Sequence, residues 1–379
     1  MIKREILLEI ARHYGTPVYV YDLEQIRAKF RKLHDAFSSI DTDIHFAVKA
    51  NHNPFIIKTI DEEGGKFDTV SLEEVKHLSE LGIDEKNILY TPSCPSKDEL
   101  KKALDTDIAI HIGALELLEW IGQTAPERPL GLRLNPGLDI GGNKKIATAH
   151  QGSKFGIPWT LKNRILKTVD KYRLRITGLH THLGSDVSYD EVMRQSIDFL
   201  FEARSYFPRL EYLDIGGGFK IKYHPDDKET DLKALAGYIR GRTKKSGEAI
   251  KIKIEPGKFL VAEAGYFLMQ VNFVKKIPGK TFACVNTGFN HFIRPMYYGA
   301  YHPVENLSQP GEPESVYDVV GNLCEEDTFA YDRKIARIRE NDILVLKNAG
   351  AYGYVMASHY NLRPLPKEIV VDGHRIIET

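Results

Sequence analysis

The sequence predicts a parallel (β/α)8 barrel joined to a second, antiparallel β domain. Eight short apolar segments alternate with helical patterns over the first two-thirds of the 379 residues, as in such a barrel. No GxGxxG motif follows the first strand, which disfavours an open doubly wound sheet. After Ala264 the helical patterns give way to β segments separated by turn residues. We therefore predict the barrel at residues 22–263 and the β domain at residues 1–21 and 264–379.

The chain opens with charged residues at helical spacing, and the β pattern at Thr16–Tyr21 is expected to join the sheet of the second domain. Asp22 can cap a helix through Ile26 and Phe37, and the segment 305–315 resembles a surface loop. Barrel strands are predicted at 44–49, 67–70, 88–91, 108–110, 130–134, 176–182, 210–215 and 250–255. Helices are predicted between them at 55–63, 72–81, 97–104, 115–121, 161–172, 190–206 and 232–246. Strands of the second domain are predicted at 266–275, 281–286, 316–320, 343–346 and 368–371.

The composition favours a small-molecule ligand over a polyanion or a membrane. Lys plus Arg (52) equals Asp plus Glu (52), so no global field attracts nucleic acid or anionic lipid. No apolar run approaches a membrane span, and the N-terminus lacks the apolar core of a signal peptide. Cys94, Cys284 and Cys324 form no CxxC pair, which fits a reducing compartment without structural zinc. We expect a cytoplasmic protein.

A lysine closes the first predicted barrel strand. The run Ile44–Lys49 is apolar apart from His45 and the lysine, and Asn53–Pro54 then opens a helix. Burial disfavours the charged form of a lysine, and a neutral amine can form a Schiff base with an aldehyde. An isolated lysine at a strand end more often extends into solvent. The assignment of Lys49 as a covalent anchor therefore depends on the residues at the other strand ends.

The C-terminal strand ends of a (β/α)8 barrel carry its active site. The backbone N–H groups of Gly216–Gly218, after strand seven, can bind a phosphate, although a sharp turn alone would also explain the glycines. Glu255, after strand eight, can hold a ring nitrogen protonated, or can form a structural salt bridge. The residues predicted at the eight strand ends are Lys49, Asp68, Ser93, His111, Arg133, His182, Gly216–Gly218 and Glu255.

His180 and His182 are predicted to alternate on one strand and to face the same way. Such a pair occurs in metal-dependent barrel hydrolases, which is one alternative interpretation. That interpretation needs further carboxylate or histidine ligands, and it assigns Lys49 no role beyond that of a possible modified ligand. We therefore predict that no metal binds and that the His182 ring stacks on a flat cofactor. An amine, a glycine turn, a carboxylate and an imidazole together indicate pyridoxal 5'-phosphate.

The whole chain resembles the fold-type III pyridoxal phosphate decarboxylases, and within them the diaminopimelate decarboxylases. The resemblance rests on stretches that occur in the same order along the chain. They are Phe46–Asn51, Ser153–Ile157, His180–Ser185, Gly216–Gly218, Glu255–Gly257, Ile293–Pro295, Tyr298–His302, Cys324–Glu325 and Asn348–Gly353.

The resemblance implies a homodimer with shared active sites and an amino acid as substrate, most specifically meso-diaminopimelate converted to L-lysine. Cys324 and Glu325 would act catalytically by reaching into the site of the partner subunit, with Glu325 on the distal ammonium group of the substrate. The cofactor-binding residues implied are Lys49, His182, Ser185, Gly217, Gly218, Glu255, Gly257 and Tyr352. The substrate-binding residues implied are Lys258, Arg294, Tyr298, Glu325 and Tyr352.

Two departures from the family keep alternatives open. Lys258 stands where the family usually has an arginine, so a basic amino acid, a carboxylated polyamine or a carrier-bound acyl group is a second substrate class. The chain ends at Thr379, earlier than expected, and so could be a short form or part of a longer protein. Racemisation is disfavoured because racemases of this fold place an arginine at the ring nitrogen. A cofactor-binding barrel without catalysis would lack the second domain.

Overall fold

The computed structural model describes residues 1–138, 148–185, 190–247 and 249–379. The strands, in chain order, are β1 (Val18–Asp22), β2 (Thr42–Ala47), β3 (Lys66–Thr69), β4 (Ile88–Tyr90), β5 (Ala109–Ile112), β6 (Leu130–Asn135), β7 (Ile157–Pro158), β8 (Ile176–His180), β9 (Tyr212–Asp214), β10 (Lys251–Ile254), β11 (Gly265–Ile277), β12 (Lys280–Val285), β13 (Val304–Asn306), β14 (Glu314–Val320), β15 (Thr328–Ala336), β16 (Ile343–Lys347), β17 (Lys367–Asp372) and β18 (Arg375–Glu378). The α-helices are α1 (Arg4–Tyr14), α2 (Leu23–Phe37), α3 (Pro54–Glu62), α4 (Leu72–Glu80), α5 (Lys97–Leu104), α6 (Leu115–Thr124), α7 (Lys162–Tyr172), α8 (Asp190–Ala203), α9 (Leu232–Ser246), α10 (Lys258–Val261) and α11 (Arg294–Tyr298).

Eight parallel strands close into a barrel, which confirms the predicted fold class. They follow one another in the order β5, β4, β3, β2, β10, β9, β8, β6, and β6 pairs with β5 to complete the ring. Local capping explains where the helices begin. Asp22 accepts from the Gln25 N–H at 3.0 Å, as predicted, and Asn53 caps α3 with Pro54 in its first turn.

Two strand ends near the site differ from the prediction, and one short strand was not predicted. β2 ends at Ala47, and Lys49 lies in the 3-10 turn Val48–Ala50 that follows. β8 ends at His180, so His182 lies beyond the strand and the two histidines do not share a strand face. The two-residue strand β7, which pairs with β6, was not predicted. Apolar patterning locates a strand but does not fix the residue at which its hydrogen bonding stops.

The second sheet is mostly antiparallel, with two exceptions that correct the prediction. β1 pairs parallel with β17, and β12 pairs parallel with β14. β1 also pairs antiparallel with β11, so the N-terminal strand joins this sheet as expected. The predicted loop at 305–315 is shorter than expected, at residues 307–313, because β13 ends at Asn306 and β14 begins at Glu314. β15 and β18 were not predicted.

The apolar core continues from the barrel into the second sheet. Phe46 and Phe67 of the barrel and Tyr19 and Phe267 of the β sheet belong to one buried cluster. A smaller cluster joins α1, through Leu7 and other residues, to the opposite face of the sheet. The division at residues 22 and 263 stays a prediction. Within the described residues, no helix is both long and apolar enough to cross a membrane.

Candidate active site

A small cleft at the C-terminal end of the barrel contains most of the residues predicted to bind the cofactor. The backbone beside Lys49 is tied to the second domain, because the Tyr352 N–H donates to the Ala50 carbonyl oxygen at 2.8 Å. Asn51 also donates to the Gly350 carbonyl oxygen at 3.0 Å. The cleft is lined by Ala47, Lys49, His182, Ser185, Gly218, Phe219, Glu255, Gly257, Lys258, Phe259 and Tyr352.

Lys49 is paired with a buried carboxylate. Its Nζ lies 2.8 Å from Oδ2 of Asp68, whose side chain is 1% exposed. Burial lowers the pKa of Lys49, but the charge of Asp68, followed by Tyr352 and Glu255, outweighs it and raises that pKa above its ordinary value. Burial in turn raises the pKa of Asp68 to about 6. The pair therefore keeps Lys49 as an ammonium group at neutral pH.

The glycine turn after β9 brings His182 and Glu255 together. Gly216 has a φ of +69°, and a Cβ at that position would lie 2.6 Å from His182 Nδ1. A Cβ on Gly217 would lie 2.1 Å from the Glu255 carbonyl oxygen, so both positions exclude larger residues. The Gly217 N–H donates to His182 Nδ1 at 3.1 Å, which places any ring proton on Nε2. Burial lowers the pKa of His182 to about 3, so the ring is neutral and can stack on a flat group.

Glu255 carries the best evidence for a bound cationic ring. Its side chain is 5% exposed, and its Oε1 is buried without a hydrogen-bond partner in the described structure. A buried carboxylate oxygen without a partner is costly, and the N–H of a pyridinium ring would satisfy it. Lys49 supplies an amine for an aldehyde in the same cleft. The residues present therefore fit pyridoxal phosphate.

Ser185, Gly218, Gly257 and Tyr352 line the same cleft and can surround a phosphate. A Cβ on Gly257 would lie 3.1 Å from Ala50 Cβ and 3.3 Å from the Tyr352 hydroxyl, so a side chain there would crowd the cleft. Tyr352 has a φ of +55° and is fixed by its hydrogen bond to Ala50. These contacts hold the walls of the cleft close together.

Two cationic side chains predicted to bind substrate meet at one aromatic ring. Lys258 and Arg294 are both buried, and they lie 5.6 Å and 5.2 Å from the centre of the Tyr223 ring. The Arg294 guanidinium group also lies 5.8 Å from the centre of the Tyr298 ring. Arg294 Nε donates to His302 Nε2 at 3.2 Å. Within the described residues, no carboxylate forms an ion pair with Arg294.

Cys324 and Glu325 do not line the cleft within one subunit. Both are exposed and lie beside Tyr360, whose hydroxyl donates to Glu325 Oε1 and lies 3.6 Å from the Cys324 sulfur. The hydrogen bonds of Tyr360 and then Asn361 lower the pKa of the Cys324 thiol. Their predicted role depends on a second subunit.

The structure gives little support to the metal alternative. The predicted pair His180 and His182 is not on one strand face; instead His180 lies with His111 and Glu255, whose potential ligand atoms are within 4.8 Å of one another. Both His111 nitrogens already have partners, since Nε2 lies 2.9 Å from the Tyr212 hydroxyl and Nδ1 lies 3.2 Å from that of Thr91. The His111 and His180 rings stack, so they present faces to one another rather than converging lone pairs.

Three residues at the site received no role from the sequence. Asp68 was identified only as a strand end, and its contact with Lys49 depends on two neighbouring strands. His302 closes the stretch Tyr298–His302, in which only Tyr298 was expected to have a function. Tyr223 had no sequence signal, because its segment follows the glycine turn without any regular pattern.

Residues 23–262 match a family described as pyridoxal-dependent decarboxylase, pyridoxal binding domain. The chain is 34% identical to the diaminopimelate decarboxylase of Methanothermobacter thermautotrophicus, over 96% of this chain and 88% of that protein. It is 35% identical to the enzyme of the same name from Aquifex aeolicus, over 97% of this chain and 89% of that protein. The crystal structure of Helicobacter pylori diaminopimelate decarboxylase complexed with L-lysine superposes with a TM-score of 0.91 at 28% identity, covering 98% of this chain and 95% of that chain.

Proposed function

The chain belongs to the family of pyridoxal-dependent decarboxylases, as its sequence predicted, and we propose that it converts meso-diaminopimelate to L-lysine. The family binds pyridoxal phosphate. Relatives at 34% and 35% identity over nearly the whole chain are named diaminopimelate decarboxylases, and a similar solved structure contains L-lysine, the product expected here.

The chain's own residues can carry out the steps that this reaction requires. When bound, the cofactor supplies an aldehyde for an amine and a pyridinium ring that accepts the electron pair left by the departing carboxylate. Lys49 Nζ would hold the cofactor through its aldehyde, and Asp68 Oδ2, 2.8 Å away, could exchange a proton with that nitrogen when the substrate amine takes its place. Glu255 Oε1 would hold the proton on the ring nitrogen, and the neutral His182 ring would support the ring.

The buried Arg294 is the observation that carries the choice of substrate. It is 5% exposed and has no carboxylate partner among the described residues, and an unpaired buried guanidinium is costly. A distal carboxylate of the substrate would pair with Arg294. Lys258, which contacts the same Tyr223 ring, would supply a second positive charge. Diaminopimelate has such a carboxylate, whereas lysine and ornithine do not.

A panel of amino acids scored for released carbon dioxide tests this proposal. We expect meso-diaminopimelate to exceed lysine and ornithine in kcat/KM by 10²-fold or more, because an analogue without the carboxylate leaves a buried charge unpaired. Arg294→Gln should reduce that preference mainly by lowering turnover of diaminopimelate. If ornithine or a carboxylated polyamine is the better substrate, the decarboxylase class stands and the diaminopimelate assignment does not.

The exposed position of Cys324 and Glu325 supports a homodimer whose sites are shared between subunits. Lys49→Ala and Glu325→Ala should each be nearly inactive alone, because every site then lacks one essential group. Random reassortment of equal amounts gives about half heterodimers, each with one intact site, so activity should recover to about a quarter of the wild-type value. Absence of recovery, with subunit exchange verified by mass spectrometry, would contradict shared sites.

A further inference from the structure

Three aromatic rings form a buried column inside the barrel, beneath Glu255. The His180 ring stacks on the His111 ring at 4.8 Å between centres and 19° between planes. The His111 ring stacks in turn on Tyr212, at 5.7 Å and 30°. His111 is fixed at both nitrogens by the hydroxyl groups of Tyr212 and Thr91. The orientation of His111 is therefore determined independently of Glu255.

Two glycines on the barrel strands make room for the column. A Cβ on Gly131 of β6 would lie 2.2 Å from His111 Cδ2. A Cβ on Gly178 of β8 would lie 2.0 Å from Tyr212 Cζ. Contacts this short exclude any side chain at either position. Barrel interiors are usually filled by branched apolar residues. A layer in which two glycines make room for polar rings therefore indicates a role other than core packing.

The top of the column meets the carboxylate of Glu255. His180 is 1% exposed, and its Nε2 lies 3.2 Å from Glu255 Oε2. Both His180 nitrogens are buried, and neither makes a hydrogen bond of regular geometry in the described structure, so the approach of Nε2 to Oε2 is a close polar contact. Burial keeps the ring neutral by lowering its pKa, so it has one N–H, and Oε2 is the carboxylate oxygen in reach. The contact with His180 occupies Oε2, which leaves Oε1 to accept a hydrogen bond from a group in the cleft.

We propose that His180 is a positioning residue, which holds the Glu255 carboxylate so that its other oxygen keeps the cofactor ring nitrogen protonated. This role rests on the cofactor that the family binds and not on the identity of the substrate. It accounts for the first histidine of the His180–His182 pair, which neither the cofactor nor the proposed substrate contacts require. The column formed by Tyr212 and His111 sets the angle at which His180 meets Glu255.

Two variants of the same residue separate positioning from packing. The amide nitrogen of Gln in His180→Gln can take the place of Nε2, whereas that of Asn in His180→Asn corresponds to Nδ1 and withdraws from Glu255. Each holoenzyme is prepared with pyridoxal phosphate labelled with 15N at the ring. We expect the ring nitrogen of His180→Gln to resonate as a protonated pyridinium, with kcat within about threefold of wild type. In His180→Asn the resonance should move toward neutral pyridine, and kcat should fall at least about tenfold with little change in KM.

A milder variant covers the case in which His180→Asn does not fold. Tyr212→Phe removes one hydroxyl from His111 while keeping the ring, and it should shift the 15N resonance in the same direction by a smaller amount. A wild-type resonance in folded His180→Asn, or in Tyr212→Phe if His180→Asn is unfolded, would overturn the proposal. A stoichiometric metal ion that is lost in His180→Asn would also overturn it. The labelled cofactor is observed without substrate, so this test does not depend on diaminopimelate being the substrate.

Discussion

Replacing Asp68 by asparagine should speed the attachment of pyridoxal phosphate to Lys49 at neutral pH. The substitution keeps the shape of the side chain and an oxygen near Nζ but removes the buried charge 2.8 Å away. Two unit charges at that distance interact by about 1.5 kcal/mol in bulk water and by about 6 kcal/mol at an effective dielectric constant of 20. Because 36% of the Lys49 side chain is exposed, solvent screens the pair, and we take an intermediate value of about 3 kcal/mol.

Loss of about 3 kcal/mol of interaction in Asp68→Asn would lower the pKa of Lys49 by about two units. The sign follows from the balance at the site, where burial lowers the pKa of Lys49 and Asp68 is the largest of the groups that raise it. Only the neutral amine attacks an aldehyde, so the attachment rate at a pH below both pKa values should rise on the order of a hundredfold.

Stopped-flow absorbance after mixing apoprotein with pyridoxal phosphate, repeated from pH 6 to pH 10, measures this effect. Asp43→Asn is a matched control, because Asp43 pairs with Lys66 at the same distance of 2.8 Å but lies at the start of β2, away from the cleft. The control should leave the rate profile unchanged. The reasoning is refuted if Asp68→Asn attaches the cofactor no faster than the wild type at any pH in this range while the protein remains folded.

Three further predictions concern the anchor, the ring nitrogen and the barrel interior. Borohydride reduction in the presence of pyridoxal phosphate should label the Lys49 peptide of the wild type, and Lys49→Ala should lose that label; a label on another lysine of the wild type would contradict the assignment. Glu255→Gln should lower kcat by about 10²- to 10³-fold, because the negative charge that faces the ring nitrogen is lost. Absorbance should show that the cofactor is still bound. Near-normal turnover would mean that Glu255 has only a structural role. Gly178→Ala should lower the free energy of unfolding in urea by about 1–3 kcal/mol. Gly237→Ala in α9, where a Cβ meets nothing within 4 Å, should raise it by up to about 1 kcal/mol. Equal unfolding midpoints for the two variants would contradict the close packing at Gly178.

Local patterning was sufficient to predict the barrel. Helix and strand periods are properties of neighbouring residues, so α4 and β4 were located almost to the residue. The rule that barrel sites lie at strand ends then predicts that Lys49 and Glu255 belong to one site. The parallel pairing of β1 with β17 could not be predicted in this way, because the two strands lie at opposite ends of the chain and their pairing depends on the intervening barrel.

The sequence by itself determined the fold class, the family and the side chains that surround the proposed cofactor, since these depend on local period and on motifs in order. Only the tertiary structure decided what those side chains touch. The pairing of Lys49 with Asp68 and the contact of His180 with Glu255 each join residues that follow or end different barrel strands. Such distances of about 3 Å are set by the register and closure of the barrel strands, and no local pattern records them.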